Sequence, residues 1–328
     1  MKRRIFKENV PHHVYVKGKE GGIIFYCLED CIYYITLYCC LALKHGIVTY
    51  AFSLMPNHTH SQQTARSLQS FSAFNGELLC RFTIAYNRQH ERSGQLFDTP
   101  FGSAPEPVGK RIKSNISYIC NNGAAGRLSD GVLDYRWNLV AYCKESNPFS
   151  ERVSTRTSSR RFLKARKLVR SCREACEPLG YKLQETVYKG LNQKEKMQII
   201  DYILSEYNVL DQEGMILSFG SVDKALIAME ANCGSEHDLK EDWDDYSVYR
   251  RIGIFVKGKG LDLRTVNFER MEENVLYDLR KALRIAVGAS DRQLDKYLHQ
   301  SAADKGLCKR TLCTEPSASR EMEDRINH

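Results

Sequence analysis

The stretch IVTYAFSLMPNHTHSQQT, residues 47 to 64, decides the reading of the chain. Ile47 to Met55 is rich in β-branched and aromatic residues and is predicted as a strand. Met55-Pro56-Asn57 breaks the apolar run, and Thr59 to Thr64 is predicted as the next strand. Strand side chains alternate between faces, so His58 and His60 point the same way, with Cα atoms roughly 7 Å apart. Two imidazoles so placed can share one ion. Imidazole suits Zn, Cu, Fe and Ni, and a His pair joined by an oxygen ligand also holds Mn or Mg where a phosphate supplies further oxygens. Taken alone, the same HxH pattern describes surface or packing histidines equally well.

Working outward, HHVYVKG (12 to 18) alternates like a strand, and LEDCIYYITLYCCLALKHG (28 to 46) reads as a long apolar helix closed by Gly46. Downstream, residues 67 to 91 carry apolar side chains every third or fourth position and are predicted as a helix. Gly94 to Val108, with three prolines and two glycines, is a loop with short extended pieces, and KRIKSNISYICNN (110 to 122) resumes helical spacing. The order β-α-β-β-α-loop-α predicts an α+β fold, an antiparallel sheet with helices packed against it, and argues against a doubly wound α/β domain.

The length of 328 residues suits two domains, divided at Asn147-Pro148 into 1–147 and 148–302, with 303–328 expected to be a disordered tail. The second region is mainly helical, with one strand predicted at RIGIFVKG (251 to 258). Within it, residues 276–300 give a helix, a turn at Gly288, Ser290 as N-cap and a second helix, which is the spacing of a helix-turn-helix. Arg292, Gln293 and Lys296 are then the candidates for DNA groove contacts, although an ordinary helical hairpin has the same punctuation.

Apolar content of 42% and charged content of 27% fit a globular protein, and no apolar run reaches membrane-span length. The start MKRRIFKENVPHH has no apolar stretch behind it, so the expectation is a cytoplasmic protein. Twelve cysteines without a CxxC argue against a zinc knuckle or a disulfide framework and are read as reduced packing residues. The net charge of +8 is local: residues 151 to 195 hold twelve Lys/Arg against five Asp/Glu, whereas 236 to 245 is acidic. The basic run Arg156 to Arg173 either tracks a phosphate backbone or forms a solvated helix face.

The string Leu54-Met55-Pro56-Asn57-His58-Thr59-His60, following a helix and a strand, resembles the MPNHxH signature of the single-tyrosine HUH transposases, the branch that includes the REP-associated tyrosine transposases. Three further blocks follow in family order. Tyr86 to Phe97 resembles the arginine-asparagine segment that precedes a glycine-aromatic piece, Tyr118-Ile119-Cys120-Asn121-Asn122 resembles the helix bearing the tyrosine, and Asp134-Tyr135-Arg136-Trp137 with Tyr142 resembles the closing block. The likeness covers about residues 3 to 145.

The resemblance implies a ferredoxin-like HUH nuclease domain; the helical region that follows is expected to bind DNA on the strength of its own helix-turn-helix spacing. It implies Tyr118 as the nucleophile, His58, His60 and Asn122 as ligands of Mg²⁺ or Mn²⁺, and a DNA surface at Asn87, Arg88 and Arg92. On a helix, Tyr118 and Asn122 stand at i and i+4 and share a face. Asn122 is equally suited to cap a helix before Gly123, and Tyr118 is one of eighteen tyrosines. The implied chemistry is metal-dependent transposition. Tyr118 attacks a single-stranded DNA phosphate, leaves a 5′-phosphotyrosine and a free 3′-hydroxyl, and the exchange of one phosphodiester for another reverses without ATP. A free phenol has a pKa of about 10, so a cation favours the attacking phenolate. The implied partners are hairpin-ended single-stranded DNA and a second copy of the chain, in a nucleoid-associated location.

Tyr86 is a rival nucleophile, and His12 and His13 could reach the site. Three departures from the family pattern stand out: polar Thr59, Ser61, Gln62 and Gln63, which predict a weaker or wetter strand; no arginine in Thr99-Pro100-Phe101; and Gly123 where proline is common. The alternatives are a replication initiator or relaxase of the same chemistry, opposed by the lack of a helicase motif, and a non-catalytic DNA-binding protein derived from a decayed transposase.

Overall fold

Met55 pairs with His58, so Pro56-Asn57 is the whole connection between β2 (Val48–Met55) and β3 (His58–Thr64). The computed structural model describes residues 5–98, 101–106, 109–154, 158–231 and 245–300. The expected tail at 303–328, Thr99-Pro100, Arg156 and all of the acidic stretch except Asp245 lie outside these residues.

The hairpin joins β1 (His12–Lys17) and β4 (Gly102–Pro105) in one antiparallel sheet of order β2-β3-β1-β4. Helix α1 (Leu28–His45) links β1 to β2, α2 (Leu68–Gln89) links β3 to β4, and α3 (Gly109–Ala125) follows β4. The elements therefore run β-α-β-β-α-β-α, and the fold is α+β as the periodicity predicts. Gly46 takes φ 63°, where a glycine meets no Cβ penalty, and its N–H closes α1 on the Ala42 and Leu43 carbonyls. Ser67 caps α2 by accepting from the Ser70 N–H.

Strand alternation gives the two sheet faces different tasks. Thr59, Ser61 and Gln63 face α1 and α2, whereas His58, His60 and Gln62 face α3. The polar first set does not make β3 wet, since all seven of its residues are buried. Tyr34 and Thr59 hydroxyls share a bond at 3.3 Å, Tyr38 and Thr49 at 2.9 Å, and the Asn75 amide donates to Gln63 Oε1 at 3.2 Å. Each of these groups exchanges water for a protein partner, which removes most of the cost of burying it.

Helices α4 (Arg160–Glu174), α5 (Tyr181–Tyr188) and α6 (Gln193–Glu206) form one group, with α5 and α6 packed against α1; α7 (Gln212–Phe219) and α8 (Val222–Glu230) pack against α3. Phe162, Ile199, Ile203, Met215 and Met229 of these helices join the core of the sheet. A second core unites Ile23, Met55 and Tyr135 with residues of α9 (Ser247–Gly258), α10 (Glu273–Val287) and α11 (Asp291–Leu298).

Residues 251 to 258 are a helix and not the predicted strand. Ile252 and Val256 are buried while Ile254 is 64% exposed, the spacing of a helix; in a strand all three would share one face. The β-branched composition of RIGIFVKG suggested a strand, and packing of the i, i+4 pair overrides that preference. The predicted punctuation of α10 and α11 is present: Gly288 ends α10 at φ 69°, and Ser290 with Gln293 forms a capping box.

Helix α11 docks on the turn before α1. The Ile23 N–H donates to the Lys296 carbonyl at 2.9 Å, the His299 ring bonds the Ile23 carbonyl at 2.8 Å, and the Tyr26 hydroxyl donates to the Tyr297 carbonyl. Burial, and next the nearby Arg92, hold the His299 pKa down to about 4 from an ordinary 6.5. The unfolded chain takes up this proton near pH 6.5 and the folded chain only near 4, so stability is full above 6.5 and falls as the pH drops toward 4. A loss of about 2 kcal/mol across that window is expected in urea midpoints. His299→Gln should flatten this slope, and an unchanged slope in the variant would assign it to other groups.

Candidate functional site

The α3-facing row of β3 meets the inward face of α3. The His60 and Tyr118 rings lie 5.8 Å apart, His58 and His60 4.8 Å, and His13 approaches His60 at 5.1 Å and Tyr118 at 6.1 Å. His13 Nε2 and His60 Nδ1 are hydrogen-bonded at 2.9 Å. Three histidines and one tyrosine therefore converge from β1, β3 and α3. Asn122 lies one turn beyond Tyr118, buried, with its side-chain nitrogen unpartnered.

His60 is 1% exposed, His58 4% and Tyr118 9%. Burial, followed by the adjacent His58, His13 and Lys17, pushes the His60 pKa well below its ordinary value, so its imidazole is neutral at neutral pH. Its Nε2 is buried and has no hydrogen-bond partner. The surroundings are polar and unsatisfied as well: Ser53 Oγ, opposite His60 on β2, and both amide atoms of Gln62 and of Asn115 lack partners. Buried polar atoms left this way cost stability, and their clustering singles out this face of the sheet as the candidate site.

Among the described residues no group of three or more His, Cys, Asp and Glu is placed to hold a metal ion. A site here would have to combine imidazoles with an amide. The neutral His60 Nε2 and the amide oxygen of Asn122 have the donor chemistry for that, and a phosphate would add oxygens suited to Mg²⁺ or Mn²⁺.

Other expected site residues fall elsewhere. Asn87, Arg88 and Arg92 sit at the end of α2, which packs on the opposite sheet face from α3. Asn87 donates to the Gly94 carbonyl at 2.9 Å, and Arg92 is engaged by Glu269 at 2.6 Å; Arg88 is exposed. On α11, Arg292 is exposed, Gln293 Oε1 accepts from the Ser290 N–H in the capping box, and Lys296 is half-buried with its side chain beside Gly21. Tyr86, the rival nucleophile, is fully buried on α2, and burial raises its pKa well above the ordinary phenol value. His12 stacks on Phe6 and bonds the Val10 carbonyl, away from the site.

Two contacts were not anticipated. Asn57 Oδ1 lies 2.7 Å from His58 Nδ1, and Tyr246, just before α9, covers the His58 ring at 5.9 Å. Gly123 is explained by its neighbour: a Cβ there would lie 2.2 Å from the Tyr135 ring, so a side chain, proline included, does not fit. The described cysteines are free thiols, most of them buried. No helix among the described residues is long and apolar enough to cross a membrane.

No protein family matches the chain, and no curated protein matches it. Among solved structures, a REP-associated tyrosine transposase bound to a REP hairpin is similar over 49% of this chain and 94% of its own, with a TM-score of 0.39 and 13% sequence identity.

Proposed function

We propose that the chain is a metal-dependent transposase that nicks and rejoins single-stranded DNA by transesterification through Tyr118. One observation carries the reading: the Tyr118 ring stands 5.8 Å from His60, whose Nε2 is neutral, buried and unpartnered. The element order with sheet order β2-β3-β1-β4 supports a ferredoxin-like nuclease module at 1–147. The likeness of the four sequence blocks to the single-tyrosine HUH transposases supports the reaction class.

His58, His60 and Asn122 would hold Mg²⁺ or Mn²⁺, which when bound supplies Lewis-acid stabilisation of charge on the scissile phosphate. The chain's own part is positional. Helix α3 presents the Tyr118 oxygen to phosphorus; the new O–P bond forms as the bond to the 3′-oxygen breaks, giving a 5′-phosphotyrosine and a 3′-hydroxyl. Rejoining is the same exchange reversed. Residues 148–302 would hold DNA through exposed cations such as Arg292 and the outer face of α4, where Arg160, Lys164, Lys167 and Arg170 form an exposed row.

The burial of His58, His60 and Tyr118, with Tyr246 over His58, favours a second reading as a non-catalytic DNA binder. One assay separates the two. Labelled single-stranded hairpin oligonucleotides from the DNA flanking the gene are incubated with the protein and Mn²⁺. A covalent adduct that needs the ion and is lost in His58→Ala and His60→Ala is the expected result. Binding without any adduct would leave the non-catalytic reading standing.

A further inference from the structure

Helix α9 begins at the site. The Tyr246 ring, just before its first turn, stands 5.9 Å from the His58 ring and packs closely on Gly126, past the end of α3, where a Cβ would meet it at 3.1 Å. From that anchor the helix divides into two faces. Val248, Tyr249, Ile252 and Val256 are buried in the second core, whereas Arg250, Arg251, Ile254 and Lys257 are exposed. Tyr246, Arg250, Ile254 and Lys257 follow one another at four, four and three residues, so a single row runs from the ring over His58 out along the exposed side. The row is basic. Helix α9 holds no acidic side chain, and among the described residues no ion pair engages Arg250 or Arg251.

We infer that the exposed face of α9 is a docking surface for single-stranded DNA, with Arg250 and Arg251 holding phosphates of the DNA strand that approaches the His58 side of the site. That this DNA leads to Tyr118 rests on the nicking reading above; the surface itself does not. Charge complementarity favours this occupant, because a guanidinium forks onto phosphate oxygens and stays charged at any working pH. The row has the length for it: from Arg250 to Lys257 the helix rises about 10 Å, the reach of about three stacked phosphates. Ile254, 64% exposed among the cations, gives a base an apolar contact beside them. Helix α4 carries more cations, but it lies on α5 and α6, which pack on α1, across the sheet from α3. Its row therefore starts far from Tyr118, and that of α9 starts beside His58.

The test uses the full-length protein and single-stranded oligo(dT), fluorescein-labelled for anisotropy and substituted with 4-thiothymidine for photocrosslinking. Crosslinks in wild type are expected to map to residues 246–257. The double variant Arg250→Gln/Arg251→Gln should bind about 10-fold more weakly and lose those crosslinks, and its salt slope should fall by about 1.4, because each single-strand phosphate contact contributes about 0.7. Arg250→Lys/Arg251→Lys keeps both charges and should stay near wild type in affinity and slope. Both side chains are exposed, so the urea midpoint should not move in either variant. Wild-type affinity and slope in the glutamine variant, as for a face that serves an acidic protein instead, overturn the inference, and so do crosslinks that map only elsewhere on the chain. Crosslinks on α9 in a protein that forms no Mn²⁺-dependent adduct support the surface and count instead against the nicking reading.

Discussion

Tyr118→Phe is expected to eliminate the covalent protein–DNA adduct, a drop of at least about 10³-fold, while the protein stays folded. The change deletes one hydroxyl and keeps the ring that packs edge-on to His13 and His60 at 6.1 and 5.8 Å. Its cost in stability should stay within about 1 kcal/mol, so a lost adduct reports chemistry and not unfolding. Residual binding of the oligonucleotide should be close to wild type, since phosphate contacts by Lys and Arg supply most such affinity. Mass mapping completes the test. An adduct that persists in Tyr118→Phe and maps to another tyrosine would sink the assignment, and Tyr86 is a poor substitute because its hydroxyl is buried on the other side of the sheet.

Asp30→Ala is expected to be the most destabilising single change outside the site, at about 3–5 kcal/mol in urea unfolding. Asp30 is fully buried at the start of α1 and collects the end of α2, the start of α5 and the turn before α1 in one carboxylate. It accepts from the Tyr26 and Cys27 N–H groups at 3.1 and 3.2 Å, from the Tyr181 hydroxyl at 2.8 Å, and is paired with His90 Nε2 at 3.1 Å. Removing it leaves all of these groups buried without an acceptor, which is the costly direction of losing such a pair. Asp30→Asn should cost less, since the amide oxygen still accepts from some of them. Equal losses in the two variants would show that charge matters more than bond count.

The hairpin and its histidines were legible because the deciding signals are local: a β-branched run, a proline-asparagine break and alternation at a period of two. The order of elements through α3 followed from the same kind of signal, with Gly46 and Ser67 marking ends where backbone geometry demands them. Residues 251 to 258 misled because a short apolar stretch fits either period, and only the exposure of Ile254 between buried Ile252 and Val256 discriminates. His13, expected within reach of the site, arrives there by strand pairing, whereas Asn57 and Tyr246 reach it through a side-chain bond and a contact between distant parts of the chain, which leave no mark at fixed spacing.

The tyrosine and asparagine bonds to the outer row of β3 have a consequence for folding fidelity. A slip of one residue between β3 and its neighbours would turn His58 and His60 toward α1 and α2 and bring the other row beneath α3. A strand of Val and Ile would resist that error weakly, because one aliphatic side chain packs much like another. Here the slipped pairing would strand Tyr34 and Asn75 opposite the histidine row in place of their own hydroxyl and amide partners. The polar letters that look like erosion in the sequence thus act as a key that favours a single alignment, the one that turns both imidazoles toward α3 and sets His60 beside Tyr118.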